Sequence, residues 1–240
     1  MAAIDRLAQA SRWRSVPLAE KALLALGLLA LAVVLPPWPG AVLVLAAAAA
    51  AAILGAGVPP AAWFGVLAAP MAFVATGVLP LLVAWGPAGP QIAADSGSAA
   101  FAVAARAAAA TASLMLLALT TPAPDLVQGA RRLGLAPELA EVALATWRFL
   151  FVLGDTAQRM NAAQAARLGH DGPRRTLRSA GMLAAALLPR AFDRARRLEA
   201  GLAARGFDSR LPTLAARQPA SPLRLAAILA VLAAIAGGGM

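Results

Sequence analysis

The chain has 240 residues and a mass of 24.2 kDa; 61% of its side chains are hydrophobic, 13% are charged, and its mean hydropathy is +0.74. That charge content is about half that of an ordinary soluble domain, and the apolar residues come in long blocks that no water-exposed surface could hide. A conventional globular enzyme is excluded, and a membrane protein is indicated. Without cysteine, and with a single histidine, His170, the chain offers no disulfide framework, thiol nucleophile or soft-metal cage of its own.

The formal charge of +10 comes from 21 basic residues, all arginine except Lys21. Four lie in residues 1–21 (Arg6, Arg12, Arg14, Lys21), one in 22–120 (Arg106), fifteen in 121–222, and the last is Arg224. Basic loops stay on the cytoplasmic side, so the N-terminal stretch and the 121–222 region are both expected there, with an even number of crossings between them.

Residues 1–21 mix acids and arginines and lead into the apolar run Ala22 to Leu35, which Pro36-Pro37-Trp38-Pro39-Gly40 breaks. We read this run as a retained first span and not a leader, because the polar region is long, carries acids and continues into more apolar sequence. Ala41 to Val58 is expected as the second span, its alanine run letting neighbouring backbones approach closely. Ala61 to Gly86 is expected as the third, kinked at Pro70 and Pro80 and packed inside the bundle, where neighbours resatisfy freed carbonyls. Pro87 to Gly97, with Asp95 but no basic residue, suits an external loop. Ser98 to Thr121 is the fourth span and carries Arg106, read either as snorkelling to the outer headgroups or as a polar lock against another helix.

From Pro122 to Pro222 arginines recur and proline or glycine divides the stretch into helices. Asp125 to Leu133 is a short helix with an acidic first turn, ending near Gly134. Glu138 to Ala166 is read as a helix that dips against the membrane face without spanning, since basic clusters flank both ends. Thr176 to Arg205 is amphipathic: Leu188, Phe192, Ala195, Leu198 and Leu202 form one stripe, and Arg190, Arg194 and Arg197 another. Taken alone it fits equally a helix lying on anionic lipid and one that grips a protein. Pro222 to Met240 is the last span. The expected fold is therefore all-α and polytopic, with about five transmembrane helices. Its divisions are a cytoplasmic segment 1–21, a four-span bundle 22–121, cytoplasmic coupling helices 122–221 and a closing span 222–240.

Several chemistries lack their residues. No glycine-rich loop contains the one lysine, so a Walker-type phosphate site is excluded. The acid Asp95 is alone in 22–120, and no histidine accompanies it, which argues against intramembrane hydrolysis and any enzymatic role. A transport path usually needs ionisable groups at mid-bilayer, and Arg106 is the single candidate. The arginine-rich region lacks a stacking platform and is flanked by spans, so nucleic acid is not an expected partner. His170 beside Asp171 reads as a solvated turn, and no metal ligand set or cofactor site is expected.

At this point Ile4-Asp5-Arg6-Leu7-Ala8, Arg131-Arg132-Leu133-Gly134-Leu135, Arg148-Phe149-Leu150-Phe151-Val152-Leu153, Asp155, Arg159-Met160 and Ala204-Arg205-Gly206-Phe207-Asp208 form a recognisable series. It resembles the T component, or transmembrane coupling protein, of energy-coupling factor transporters, in its cobalt/nickel branch, the CbiQ type. The resemblance implies a non-catalytic subunit with two ABC-type ATPase subunits, a separate substrate-binding membrane subunit and the lipid bilayer as partners, in the cell (inner) membrane. It also implies two Ala-Arg-Gly signatures that meet the ATPases. The second stands as Ala204, Arg205 and Gly206; the first departs from the pattern, with Ala166 and Arg167 followed by Leu168 before Gly169. An arginine followed closely by glycine can stop a helix while its guanidinium projects into a partner's groove and binds carboxylates bidentately. Leu188, Phe192 and Leu202 would face the substrate-binding subunit. The resemblance points to cobalt as cargo, with nickel or a vitamin as alternatives; a lipid-binding membrane scaffold is the rival role.

Overall fold

The computed structural model describes residues 2–86, 89–92, 96–206 and 221–239 and divides into two compact units, Met1–Leu126 with Ala216–Met240, and Val127–Ala215. In chain order the helices are α1 (Ala2–Ala10), α2 (Leu18–Val34), α3 (Val42–Ala50), α4 (Pro60–Val78), α5 (Ser96–Thr120), α6 (Ala123–Arg132), α7 (Pro137–Ala166), α8 (Pro173–Ala203) and α9 (Pro222–Gly239). The fold is an all-α, polytopic membrane architecture. Four helical stretches are long and apolar enough to cross a bilayer: Pro37–Gly55, Pro60–Leu82, Ser96–Thr120 and Pro222–Gly239. The remaining expected span, α2, has 17 residues and rises about 26 Å, slightly short of a ~30 Å hydrocarbon core.

In the first unit α5 is the central helix, touched by α1, α2, α3 and α4. Its buried residues Ala109, Ala112, Leu116 and Leu119 follow helical spacing, and the buried hydroxyls of Ser113 and Thr120 donate to carbonyls one turn back, whereas the buried Thr121 hydroxyl just beyond the helix has no partner among the described residues. Facing it, α2 presents Leu24, Leu28 and Ala32, while α3 and the π-helical turn after it present Val44, Ala48 and Ala52. These small side chains at every fourth position let the helices pack by backbone approach.

The N-terminal stretch is part of this unit. Ala8 is fully buried, and a 3-10 turn at Arg12–Ser15 is fixed to the end of the stretch Pro37–Gly55. There the Ser11 hydroxyl and the Arg12 N–H both donate to the Ala56 carbonyl. α2 starts at Leu18, after Pro17, and so includes Glu20 and Lys21, whose charges are matched inside the protein. Glu20 is 1% exposed and accepts the Ser221 N–H at 2.8 Å; Lys21 is 3% exposed and donates to the Thr120 carbonyl at 3.1 Å.

Two sequence expectations are corrected. The third span does not run helically to Gly86: a 3-10 turn at Leu79–Leu82 ends it, and Val83–Gly86 (β1) pairs antiparallel with Gly89–Ile92 (β2). Pro80 withdraws an N–H from the helical ladder at that point, which suits a change of structure. Nor is α4 packed inside the bundle. Only Trp63 and Leu67 are buried, whereas Phe64 and Phe73 are 65% and 79% exposed. Such apolar side chains lose nothing by facing lipid, so a kink at Pro70 needs no central position. Arg106 is exposed on α5, and its guanidinium donates to the Leu35 carbonyl at 3.4 Å, at the C-terminus of α2.

Candidate functional site at two arginine-capped helix ends

The second unit is built around α7 and α8, which pack on each other. α7 ends in a Schellman turn: the Gly169 N–H donates to the Gln164 carbonyl at 2.8 Å and the Leu168 N–H to the Ala165 carbonyl at 3.0 Å. This geometry makes Arg167 the C-cap and puts Leu168 in the left-handed region, at φ 56°. At the end of α8 the Gly206 N–H donates to the Ala203 carbonyl at 3.1 Å, and Gly206 has φ 69°. Both ends thus place an arginine immediately before the left-handed residue, after Ala166 in one case and Ala204 in the other. The structural counterpart of Gly206 is Leu168, and the displaced Gly169 takes the next position.

Gly169 has its own reason to be glycine. A Cβ there would lie 2.6 Å from Ser179 Oγ and 2.8 Å from the Gln164 carbonyl oxygen. Ser179, 3% exposed, donates to the Gly169 carbonyl at 2.9 Å, so the turn is drawn against the first turns of α8. The loop is held further by Thr176, whose hydroxyl donates to the Gly172 carbonyl, and by an ion pair between Asp171 and Arg175 at 2.9 Å. Sequence reasoning missed both Leu168 and Ser179. A leucine carries no left-handed signal, and a serine in a helix usually marks nothing.

Arg167 and Arg205 are exposed at their helix ends, as are Ala166, Ala204 and Gly206; Gly169 is half-buried. A charged fork at a helix C-terminus also lies at the negative end of the macrodipole, a favourable place for arginine. Farther back on α7, Asp155 binds Arg159 one turn away, and this hydrogen bond, with the carboxylate charge, raises the Arg159 pKa above its ordinary value. On α8, Leu188 and Phe192 are 61% and 58% exposed and Leu202 is half-buried, so the apolar stripe is largely uncovered. The arginine stripe is not uniform: Arg190 reaches across to the Met160 sulfur of α7, while Arg194 and Arg197 are exposed. Phe207, Asp208 and Asp95 lie outside the described residues.

A family model described as "Cobalt transport protein" and named CbiQ matches residues 10–214. The chain belongs to the CbiQ family. This CbiQ-family chain is 51% identical over its whole length to the cobalt transport protein CbiQ of Rhodobacter capsulatus, covering 98% of that protein. It is 30% identical to the cobalt transport protein CbiQ of Salmonella typhimurium over 81% of its own length and 92% of the relative's. The match takes in both arginine-bearing helix ends, the buried Glu20 and Lys21 and the helices from α2 to α8, and ends before α9. It is a multi-pass membrane protein of the cobalt transport class.

Proposed function

We propose that this CbiQ-family protein is the transmembrane coupling subunit of an ATP-driven importer, passing the motion of two ABC-type ATPase subunits to a separate substrate-binding membrane subunit. The observation that carries the reading is the repeated helix end: Arg167 and Arg205 are each exposed and each placed just before a left-handed residue. Each guanidinium would anchor one ATPase through a carboxylate, where the planar fork supplies orientation as well as attraction. When the ATPases close, the anchored ends are drawn together, and α7 and α8 act as levers. Leu188, Phe192 and Leu202 form the surface on which the substrate-binding subunit leans.

Cobalt is the proposed cargo, in keeping with the names of both relatives, and nickel is the nearest alternative. The chain itself is proposed to be non-catalytic and to contribute no metal ligand. The arginines of residues 1–21 and of the coupling helices 122–221 support a cytoplasmic position for both at the inner membrane, with 22–121 and 222–240 in the bilayer.

Co-purification of the assembled complex from membranes tests the reading. Arg167→Lys and Arg205→Lys keep the charge and lose the fork, and each is expected to lower ATPase recovery several-fold; Arg205→Glu should abolish it. Full ATPase recovery with Arg205→Glu would instead favour a scaffold whose amphipathic helices only bind lipid.

A further inference from the structure

A cleft of about 690 Å³ opens in the first unit between α2, α3 and α9. Its floor is Leu24 and Leu28 of α2, and its walls are Ala50 and Ala51 on one side and Ile228 and Val231 on the other. The opening follows from the sequence. α9 is held at its far end, where Gly239 packs on Leu35 and Gly40, and midway, where Leu232 packs on Gly27. At its start Glu20 accepts the Ser221 N–H. Opposite the first half of α9, the alanine run has no side chain long enough to reach across. Ala48 and Ala52 of that run face the core, and Ala50 and Ala51 face the cleft.

The mouth is charged. Arg12 and Arg224 line it with Glu20 and Lys21, and Trp13 stands beside them. Lys21 is engaged with the Thr120 carbonyl, and the Glu20 carboxylate, besides the Ser221 N–H, faces Arg224 at 3.8 Å. Among the described residues no carboxylate pairs with Arg12. Three cations against one anion leave an excess of positive charge over an apolar slot. A tryptophan at that level is the usual marker of the headgroup boundary.

We infer that this cleft holds one anionic phospholipid, with an acyl chain between α2, α3 and α9 and its phosphate at the mouth shared by Arg12 and Arg224. The volume lies within the range of single-ligand sites. The slot adjoins the apolar, exposed side chains Leu229 and Val231 of α9, and the charge of the mouth selects an anionic headgroup over a zwitterionic one. The inference rests on the proposed orientation only in assigning the lipid to the cytoplasmic leaflet. By bridging α9 to α2 and α3, the lipid stabilises the bundle through mass action.

The test uses the purified full-length chain, titrated with phosphatidylglycerol or phosphatidylcholine of identical acyl chains. Native mass spectrometry reads bound lipid, and circular dichroism checks the fold. A single phosphatidylglycerol is expected to bind about tenfold more tightly than phosphatidylcholine. Arg12→Gln with Arg224→Gln should erase that preference while leaving the weaker binding. Ala50→Trp, which fills the slot, should remove both. Should the double variant not fold, Arg12→Gln alone suffices, since the Arg12 backbone and not its side chain holds Ala56; about threefold loss is then expected. Equal binding of the two lipids by the native chain, or unchanged phosphatidylglycerol binding by Ala50→Trp, would overturn the inference. So would a photocrosslinker at Ala50 that captures protein in membranes instead of lipid. ATPase attachment is not read in these measurements and Arg167 and Arg205 are untouched, so this result and the coupling reading fail separately.

Discussion

Leu168 occupies a backbone region that costs a non-glycine residue about 1–2 kcal/mol, yet it is 68% exposed and fills no core. Leu168→Gly removes that strain at a smaller entropic cost, and is expected to raise stability by about 0.5–1 kcal/mol, seen as a higher thermal midpoint of the solubilised protein. Its neighbour behaves oppositely. In Gly169→Ala the new methyl meets the Gln164 carbonyl oxygen, which is backbone and cannot step aside, so a loss of about 1–3 kcal/mol is expected. A midpoint unmoved by Gly169→Ala would mean that the turn is not as tight as described. At this scale the sequence showed the arginines but not the turn. Arg167 and Arg205 were singled out through the family resemblance, whereas the equivalence of Leu168 with Gly206 depends on φ, and a leucine does not advertise φ.

Among the elements, α4 and α9 depart most from a buried-helix picture. Since α4 keeps only half-buried core contacts beyond Leu67, such as Met71, Pro70→Ala should leave stability unchanged or raised in thermal denaturation; marked destabilisation would return Pro70 to a packed site. Glu20 ties the start of α2 to the start of α9. Replacing it by alanine removes a buried charge-assisted hydrogen bond, with an expected loss of about 1.5–3 kcal/mol, while Glu20→Gln retains an acceptor for the Ser221 N–H and should lose less. Spans were readable because lipid demands long apolar runs, and the boundaries of the stretch Pro37–Gly55, of α5 and of α9 lie within a few residues of those runs. The place of a span within the bundle was not readable, since in lipid a core-facing and a lipid-facing side have the same composition. The β1–β2 hairpin likewise has no alternating polar pattern to announce it.

For the whole molecule, the segregation of arginine carried most of what the sequence could say: an apolar part with one arginine, and an arginine-rich part with two capped helices. The partners proposed above would meet surfaces that this chain alone leaves uncovered, so no internal contact reports them. The apolar stripe and the arginine ends should therefore separate genetically. Leu188→Asp with Phe192→Asp is expected to release the substrate-binding subunit and retain the ATPases in co-purification. The most direct measurement is uptake of radiolabelled cobalt, with ATPase recovery from the same membranes, for Arg167→Glu combined with Arg205→Glu at normal expression. The account predicts that uptake and ATPase recovery both fall to background; full recovery with undiminished uptake would contradict it.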